Sequence, residues 1–598
     1  MMNNKLSSLR AHMAQHGLGA LIVPTNDPHF SEYVAAHFKC REWLTGFTGS
    51  AGTAVVTPTA AALFTDSRYF LQAEQQLAGS GFELKKEGLP NSETLAQYLK
   101  RHLDKGSVGV DGKLYAVAAF EKLQQELSPL ALTAVDDPFA ALWPDRPPMP
   151  STQAFLMDVA LTGATIEEKF AALQKKLNAP EDSLYVVGAL DEVAWLLNLR
   201  GHDVAYTPVN IAYAIVDFES EAITLAMNFD KMSKAVIRQL QEQRVQIVQY
   251  KDFELMLAQL SDSRKVIYNP NKTSIATQKI VQQHNQSGIT KEATPFGFGA
   301  ISQLKAVKSA AEVAGTRRAM LADGVAWLRF WKWLEENVDS GALTELSAGE
   351  KMHELRALHP DFIEDSFAPI VGYKEHGAIV HYSASPASSI ALGRDTFMLV
   401  DTGGHYAYGT TDITRTLHLG APSEQEKTDY TLVLKGHLQL SAAKFPHGTR
   451  GAQLDMLARQ PLMQRHLTYL HGTGHGVGHC LCVHEGPQSI RLEENPTVIE
   501  PSMITSCEPG IYRAGRYGIR LENLVLTVPS GESEFGSFLQ FEPLTLCPFD
   551  TKALNPALLH PEDIAYLNGY HRQVYALLSP LLSAEEQHFL REKTKEIG

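Results

Sequence analysis

The stretch "WPDRPPMPS" at 143–151 constrains this chain most. It places four prolines in nine residues. Proline lacks a backbone N–H and fixes φ, so neither a helix nor a central strand can run through the segment. It is the strongest linker signal in the chain. A softer break falls at "TKEATPFGFG" (290–299). These breaks predict three domains, at 1–148, 149–300 and 301–598, which suits a chain of 598 residues.

The first two segments share an order of elements. "ALIVPTNDPHFSEY", "WLTGFTGSAGTAVVT" and "AALFTDSRY" answer to "LYVVGALDEVAWLLNLRG" and "NIAYAIVDFESEAITLAM". Each gives a strand, a helix, a Trp-Leu step into a glycine turn and a strand pair, which predicts a duplicated α/β unit. The third segment reads as α+β. A long helix is expected from the capping box Ser309/Glu312, and another over 422–445 from Ser423/Glu426. "GRDTFMLVDTGGHYAYGTTDITRTLHLG" (393–420) reads as a β-hairpin turning at Gly403–Gly404, and "GIRLENLVLTV" (518–528) as one strand.

Bulk properties remove several function classes. A net charge of −14 argues against a nucleic-acid partner. No apolar run is long enough for a membrane span. The N-terminus lacks the apolar core of a secretion signal. Five cysteines, few and odd in number, fit a reducing compartment, and a cytoplasmic location is expected.

"HGTGHGVGH" (471–479) is the densest cluster of chemical groups. Its glycines do not follow the dinucleotide spacing, and no Lys-Ser/Thr ending makes a phosphate loop. Glycines at 472, 474, 476 and 478 each cost a helix about 1 kcal/mol, so His471 and His475 sit on a turn or extended loop. Two other motifs fail. In "MHELRALH", His353 and His359 are six apart where a zinc-protease helix needs four, and they read as a solvated helix face. Around Ser50, Thr48 stands where a hydrolase elbow needs glycine, so Ser50 reads as a turn residue.

Four acids survive these tests. Asp401 follows the apolar run "FMLV", and Asp412 comes eleven residues later on the returning strand. Glu508 lies in "SCEPGIY" before a Pro-Gly turn, and Glu522 falls inside the apolar "IRLENLVL". An acid in such a strand is costly unless paired or metal-bound. With His475 they make four carboxylates and one imidazole, a donor set that suits two divalent cations of manganese, cobalt, iron or zinc. Such a pair can activate a water for hydrolysis.

"LVDTGGHYAYGTTDITRT", "HGTGHGVGHCLCVHEGP", "CEPGIY" and "YGIRLENLVL" together resemble the signature of the pita-bread metallopeptidases. The order Asp, Asp, His, Glu, Glu matches at every ligand position. The rest of the chain, including "GFTGSAGTAVVT", "ALDEVAWLLNLRGHDVAYTPV" and "FLQFEPLTLCPFDTKAL", is similar to the three-domain aminopeptidase P (Xaa-Pro aminopeptidase) group. The resemblance implies two creatinase-N-like α/β domains ahead of a pita-bread catalytic domain with a C-terminal tail. It implies that Asp401 ligates one metal, that Asp412 and Glu522 bridge, and that His475 and Glu508 hold the other. A metal-bridging hydroxide would attack the peptide carbonyl, with Glu508 as proton shuttle, His484 on the carbonyl oxygen, and His381 and His471 lining the site. The implied activity is removal of the first residue from peptides with proline second. The implied metals are two per subunit, most often Mn2+, with Zn2+ or Co2+ as alternatives, and the implied assembly is a homodimer.

His479 and His376 stand where such relatives often carry a small residue and Asn, and Cys480, Cys482 and Cys507 crowd the same motifs. Two rival readings stand beside this one. Prolidase shares all five ligands but cleaves only dipeptides. A non-catalytic pita-bread binding protein would have lost ligands, whereas all five are present in this chain.

Overall fold

The computed structural model describes residues 2–294 and 297–598; within the softer break at 290–299, residues 295 and 296 lie outside the described part. The chain forms two compact units, residues 1–157 with 165–301, and residues 158–164 with 302–598.

The first unit holds two six-stranded sheets. In one, the strands Leu18–Pro24, Thr53–Val56, Ala61–Thr65, Glu83–Lys86, Ser107–Asp111 and Ala131–Val135 are arranged in the spatial order fourth, third, second, first, fifth, sixth. In the other, Ser183–Val187, Tyr213–Asp217, Ala222–Ala226, Val245–Val248, Lys265–Tyr268 and Ile289–Lys291 take that same order. The strand directions also repeat. The first strand pairs antiparallel with the second and parallel with the fifth in both sheets. The third and fourth are parallel in both. The unit is thus duplicated in topology, as the repeated order of elements predicts. Its central strands are buried on both faces, so they read as continuous apolar runs with no alternation.

The second unit is built on the helix Ala310–Asn337, whose predicted capping box Ser309/Glu312 is formed. The helix Glu424–Ser441 carries its expected Ser423/Glu426 box. Trp327, Trp331, Met398, Val400 and Leu417 share one core, and Tyr430, Leu434, Ile519, Leu521 and Leu524 another. The unit also holds a six-stranded sheet and two three-stranded sheets, one of which bears on the site. That three-stranded sheet places Phe397–Thr402 between Ile370–Tyr373 and Ile413–His418. The six-stranded one includes Ile504–Cys507, Gly474–Gly476 and Asn523–Ser533.

Three local expectations are corrected. Strands Phe397–Thr402 and Ile413–His418 do pair as a hairpin, but the chain does not turn at Gly403–Gly404. Gly404–Tyr406 continues as a strand that pairs with Gly409–Thr410, and the turn falls at Ala407–Tyr408. The glycine at 403 answers a packing need: a Cβ there would lie 2.1 Å from the Thr411 carbonyl oxygen. Second, Glu522 is not inside a strand. The run 518–528 breaks at Leu521–Glu522, between Tyr517–Arg520 and Asn523–Ser533. Glu508 sits at the matching break opposite, with Pro509, between Ile504–Cys507 and Gly510–Arg513, so Gly510 starts the next strand and the Pro-Gly pair makes no tight turn. Third, His359 lies beyond the end of the helix Glu345–Ala357, while His353 is on its exposed face.

Candidate metal centre

Pairing between Ile504–Cys507 and Asn523–Ser533, and between Gly510–Arg513 and Tyr517–Arg520, makes one long antiparallel ribbon with a gap in its middle. Glu508 and Glu522 occupy the gap, where neither belongs to a ladder. Their own N–H groups reach sideways to neighbouring elements, that of Glu508 to the Thr473 carbonyl at 2.8 Å and that of Glu522 to the Thr414 carbonyl at 3.1 Å. These two bonds dock the ribbon onto the segments that carry His475 and Asp412.

Asp401 is paired with Thr414 across the hairpin, and Asp412 lies one residue beyond its last pair, Thr402 with Ile413. The separation of eleven residues therefore brings the two carboxyls to the same end of adjacent strands. His475 stands in the strand Gly474–Gly476, its N–H given to Ser506 Oγ at 3.0 Å.

Ligand-type atoms of these residues converge in overlapping triads, each with its atoms within 4.8 Å of one another: Asp401, Asp412 and Glu522; His475, Glu508 and Glu522; and Asp412, His475 and His484. Asp412 and Glu522 are the two carboxylates that each belong to two triads, which makes them natural shared ligands. The Nδ1 of His475 lies 2.9 Å from the Gly476 carbonyl oxygen, which can only accept, so that nitrogen carries the proton. The lone pair of Nε2 then faces Asp412 Oδ2 at 3.5 Å and Glu508 Oε1 at 3.6 Å.

Two buried oxygens in this cluster, Asp401 Oδ1 and Glu522 Oε1, have no hydrogen-bond donor. Such atoms are costly unless something cationic meets them. Burial pushes the Glu508 carboxyl up to about 7 and the Glu522 carboxyl well above the usual carboxylate range, and neighbouring acids add to both shifts. Burial also raises Asp401, against the pull of Arg520 and with the push of Asp412. Four carboxylates and one imidazole around one space are a fit for two divalent cations.

The surrounding residues tie this cluster to a second set of groups. Arg520 donates to Asp401 Oδ2 at 2.6 Å and to the Tyr512 hydroxyl at 2.8 Å. That hydroxyl lies 2.8 Å from Nε2 of His471, whose Nδ1 is held by the Gly472 carbonyl at 2.7 Å, so Tyr512 is the donor to His471. Arg520 also donates to Thr414 Oγ1 at 3.2 Å, and Thr414 in turn donates to Glu522 Oε2 at 2.8 Å. His484 meets His475 edge to face at 4.4 Å between ring centres. His381 is half-buried, and the carbonyl of its neighbour Val380 accepts from Arg520 at 3.3 Å. Sequence patterns do not single out Arg520, Tyr512 or Thr414. The only signal for them is their position beside ligand motifs.

The departures from the family pattern have structural places. His376 packs on Tyr382 and sets Nδ1 2.9 Å from Glu345 Oε1. His479 is buried beside Gly315, a Cβ on which would come within 3.2 Å of its ring. The five cysteines form no disulfide, and Cys507 Sγ lies 3.3 Å from Nδ1 of the buried His437.

Comparisons with known proteins bear on the whole chain. Residues 314–529 match metallopeptidase family M24, and 537–597 match the C-terminal region of that peptidase family. Residues 5–142 and 145–312 each match a creatinase/prolidase N-terminal domain. A probable Xaa-Pro aminopeptidase P of Laccaria bicolor is 36% identical over 593 residues, covering 97% of this chain and 91% of that one. Aminopeptidase P2 of Arabidopsis thaliana is 38% identical over 641 residues, covering 100% and 89%. The X-prolyl aminopeptidase of Caenorhabditis elegans, described as a cytosolic enzyme with a di-nuclear active site, matches at a TM-score of 0.94 and 32% identity over 100% of both chains. The prolidase of Pyrococcus horikoshii, at 19% identity and a TM-score of 0.51, covers 64% of this chain and shares the fold alone.

Proposed function

The chain belongs to metallopeptidase family M24, beside the three-domain Xaa-Pro aminopeptidases, and from that premise we propose that it removes the first residue of peptides whose second residue is proline. The observation that carries this reading is the convergence of Asp401, Asp412, Glu508, Glu522 and His475. Asp401 would hold one ion, His475 and Glu508 the other, and Asp412 and Glu522 both. Two divalent ions there offset the four carboxylate charges and supply an activated water and a Lewis acid at the peptide carbonyl. The oxygen-rich donor set favours Mn2+, with Zn2+ or Co2+ next.

The chain's own groups have separate tasks. Glu508, whose Oε1 faces His475 Nε2 at 3.6 Å, would carry a proton from the attacking water to the leaving nitrogen. His484, against His475, is placed to donate to the carbonyl oxygen as charge develops on it. His471, fixed by Tyr512 and Gly472, and His381 line the side where the proline ring would lie. A bond before proline is a tertiary amide with no N–H to recognise, so such a site must accept the ring itself.

Correspondence over the full chain supports an aminopeptidase over a prolidase, since the prolidase match covers 64% of the chain. Among the described residues no helix is long and apolar enough to cross a membrane. A cytoplasmic homodimer without nucleic-acid partner goes with the reading. Incubation with Arg-Pro-Pro and with Gly-Pro tests it. Release of arginine from the tripeptide is expected, and cleavage confined to the dipeptide would overturn the assignment.

A further inference from the structure

Behind the histidine next to the metal centre lies a buried charge cluster that the chemistry above does not use. Glu485 directly follows His484 and opens the strand Glu485–Ile490. Its two oxygens are engaged by two lysines: Lys305 Nζ meets Oε2, and Lys308 Nζ meets Oε1 at 2.6 Å. All three side chains are 2% exposed. We propose that Glu485 is a positioning residue for His484, held by Lys305 and Lys308. The inference rests on the reading in which His484 meets the substrate carbonyl.

The lysines form a fixed base. Val307 bridges to Met503, and the Lys308 N–H donates to the Ser502 carbonyl at 3.0 Å. Lys308 Nζ also donates to the Lys305 carbonyl at 2.8 Å. The next residue, Ser309, is the cap of the long helix. Opposite this base, the chain leaves the sheet after Gly476, the residue next to His475, and returns at Glu485. Gly476 pairs with Glu485, and the Gly478 N–H closes the excursion on the Cys482 carbonyl at 2.9 Å. A Cβ on Gly478 would fall 3.0 Å from Glu485 Oε2, so the carboxylate lies directly under the loop. The two ends of the excursion thus carry His475 and His484, and the carboxylate at its return point is the part anchored elsewhere.

Energetics favour a geometric role. Two buried ammonium groups on one carboxylate carry a desolvation cost, and apolar residues of like volume often give equal or greater stability. What the cluster supplies is a defined position. A donor to a developing oxyanion must be placed closely, and a displacement of about 1 Å can cost about a hundredfold in rate. None of the three charged residues belongs to the triads of the metal centre, so the clamp is separable from metal binding.

A double-mutant cycle with Glu485→Gln and His484→Ala tests the proposal. The unaltered chain is assayed first on Arg-Pro-Pro; absence of cleavage there would refute the proposed function and not this clamp. With cleavage present, Glu485→Gln is expected to melt as a folded protein and to bind Mn2+ like the unaltered chain. Its kcat should fall about 10- to 100-fold, with KM changed by less than about threefold. In the His484→Ala background the same change should cost almost nothing further, because its effect passes through His484. An unchanged kcat, loss of bound Mn2+, or a full additional loss in the His484→Ala background would each overturn the proposal. If Glu485→Gln does not fold, Lys308→Met enters the same cycle; because Lys305 still engages the carboxylate, a smaller fall in kcat is expected, again absent in the His484→Ala background, and an unchanged kcat would overturn the proposal.

Discussion

Arg520 holds Asp401. Its Nη2 donates to Asp401 Oδ2 at 2.6 Å, and both side chains are largely shut off from water. The other arm of the guanidinium supports Tyr512 and, through it, His471. One planar cation thus counters the burial that raises the Asp401 carboxyl and, through Tyr512, fixes His471.

Replacing Arg520 by Met should therefore weaken two things at once. Asp401 would hold its proton more tightly, so Mn2+ must displace it, and affinity should drop about 10- to 100-fold. Turnover at saturating Mn2+ should still fall, because Tyr512 and His471 lose their anchor. Arg520→Lys keeps the charge but not the fork and should lie between. Metal titration by calorimetry, with kcat at saturating metal, checks both. Unchanged affinity together with unchanged kcat would rule out both tasks for Arg520.

Asp412 and Glu522 each take part in more than one triad of ligand atoms. Asp412→Ala and Glu522→Ala should each reduce bound metal below two ions per chain and abolish measurable peptide cleavage. Elemental analysis after equilibration with Mn2+ gives the count. Two ions retained in either variant would exclude that residue as a shared ligand.

His484→Ala should behave differently from those variants. His484 belongs to one triad only, with Asp412 and His475, and the two triads built on Glu522 stand without it, so the fold and metal content should persist. Loss of a donor to the developing oxyanion typically costs about 10²- to 10³-fold in kcat. Steady-state kinetics on Arg-Pro-Pro, beside metal analysis, separates the two effects. A near-normal kcat would exclude His484 as the oxyanion donor.

The contrast between these residues shows what was legible in the sequence. Asp401, Asp412, His475, Glu508 and Glu522 were legible only as a set: each acid alone reads as a hydrogen-bonded turn carboxylate, but together, in the order Asp, Asp, His, Glu, Glu, they make a donor set for two cations. The duplicated sheets were legible because the order of elements repeats, and helix starts because Ser309/Glu312 and Ser423/Glu426 are local devices. Gly403–Gly404 was misleading. A glycine pair serves a tight turn and a close backbone approach equally well, and only the Thr411 carbonyl decides between them. Arg520 and the lysines on Glu485 left no local trace. Their partners lie 119 and about 180 residues away, and a basic residue near an apolar strand usually marks nothing more than a surface.

The raised carboxyls also dictate how metal and pH act on stability. In an unfolded chain Glu508 and Glu522 ionise near 4.5, whereas folding without metal pushes Glu508 up to about 7 and Glu522 well above the usual range. Between these values the folded state binds more protons than the unfolded one. Stability from these groups is therefore present at low pH and is lost as pH rises through the folded values. Bound cations need the ionised carboxylates, so metal reverses the sign and competes with protons for the same oxygens. The gap in Tm between the Mn2+-loaded and chelated protein should thus widen from about pH 5.5 to about pH 8. Proton release on Mn2+ uptake should be larger at the lower of those pH values. Differential scanning calorimetry and titration in two buffers of unlike ionisation enthalpy measure these quantities. A Tm gap that narrows as pH rises would show that protonation of this cluster does not oppose metal binding.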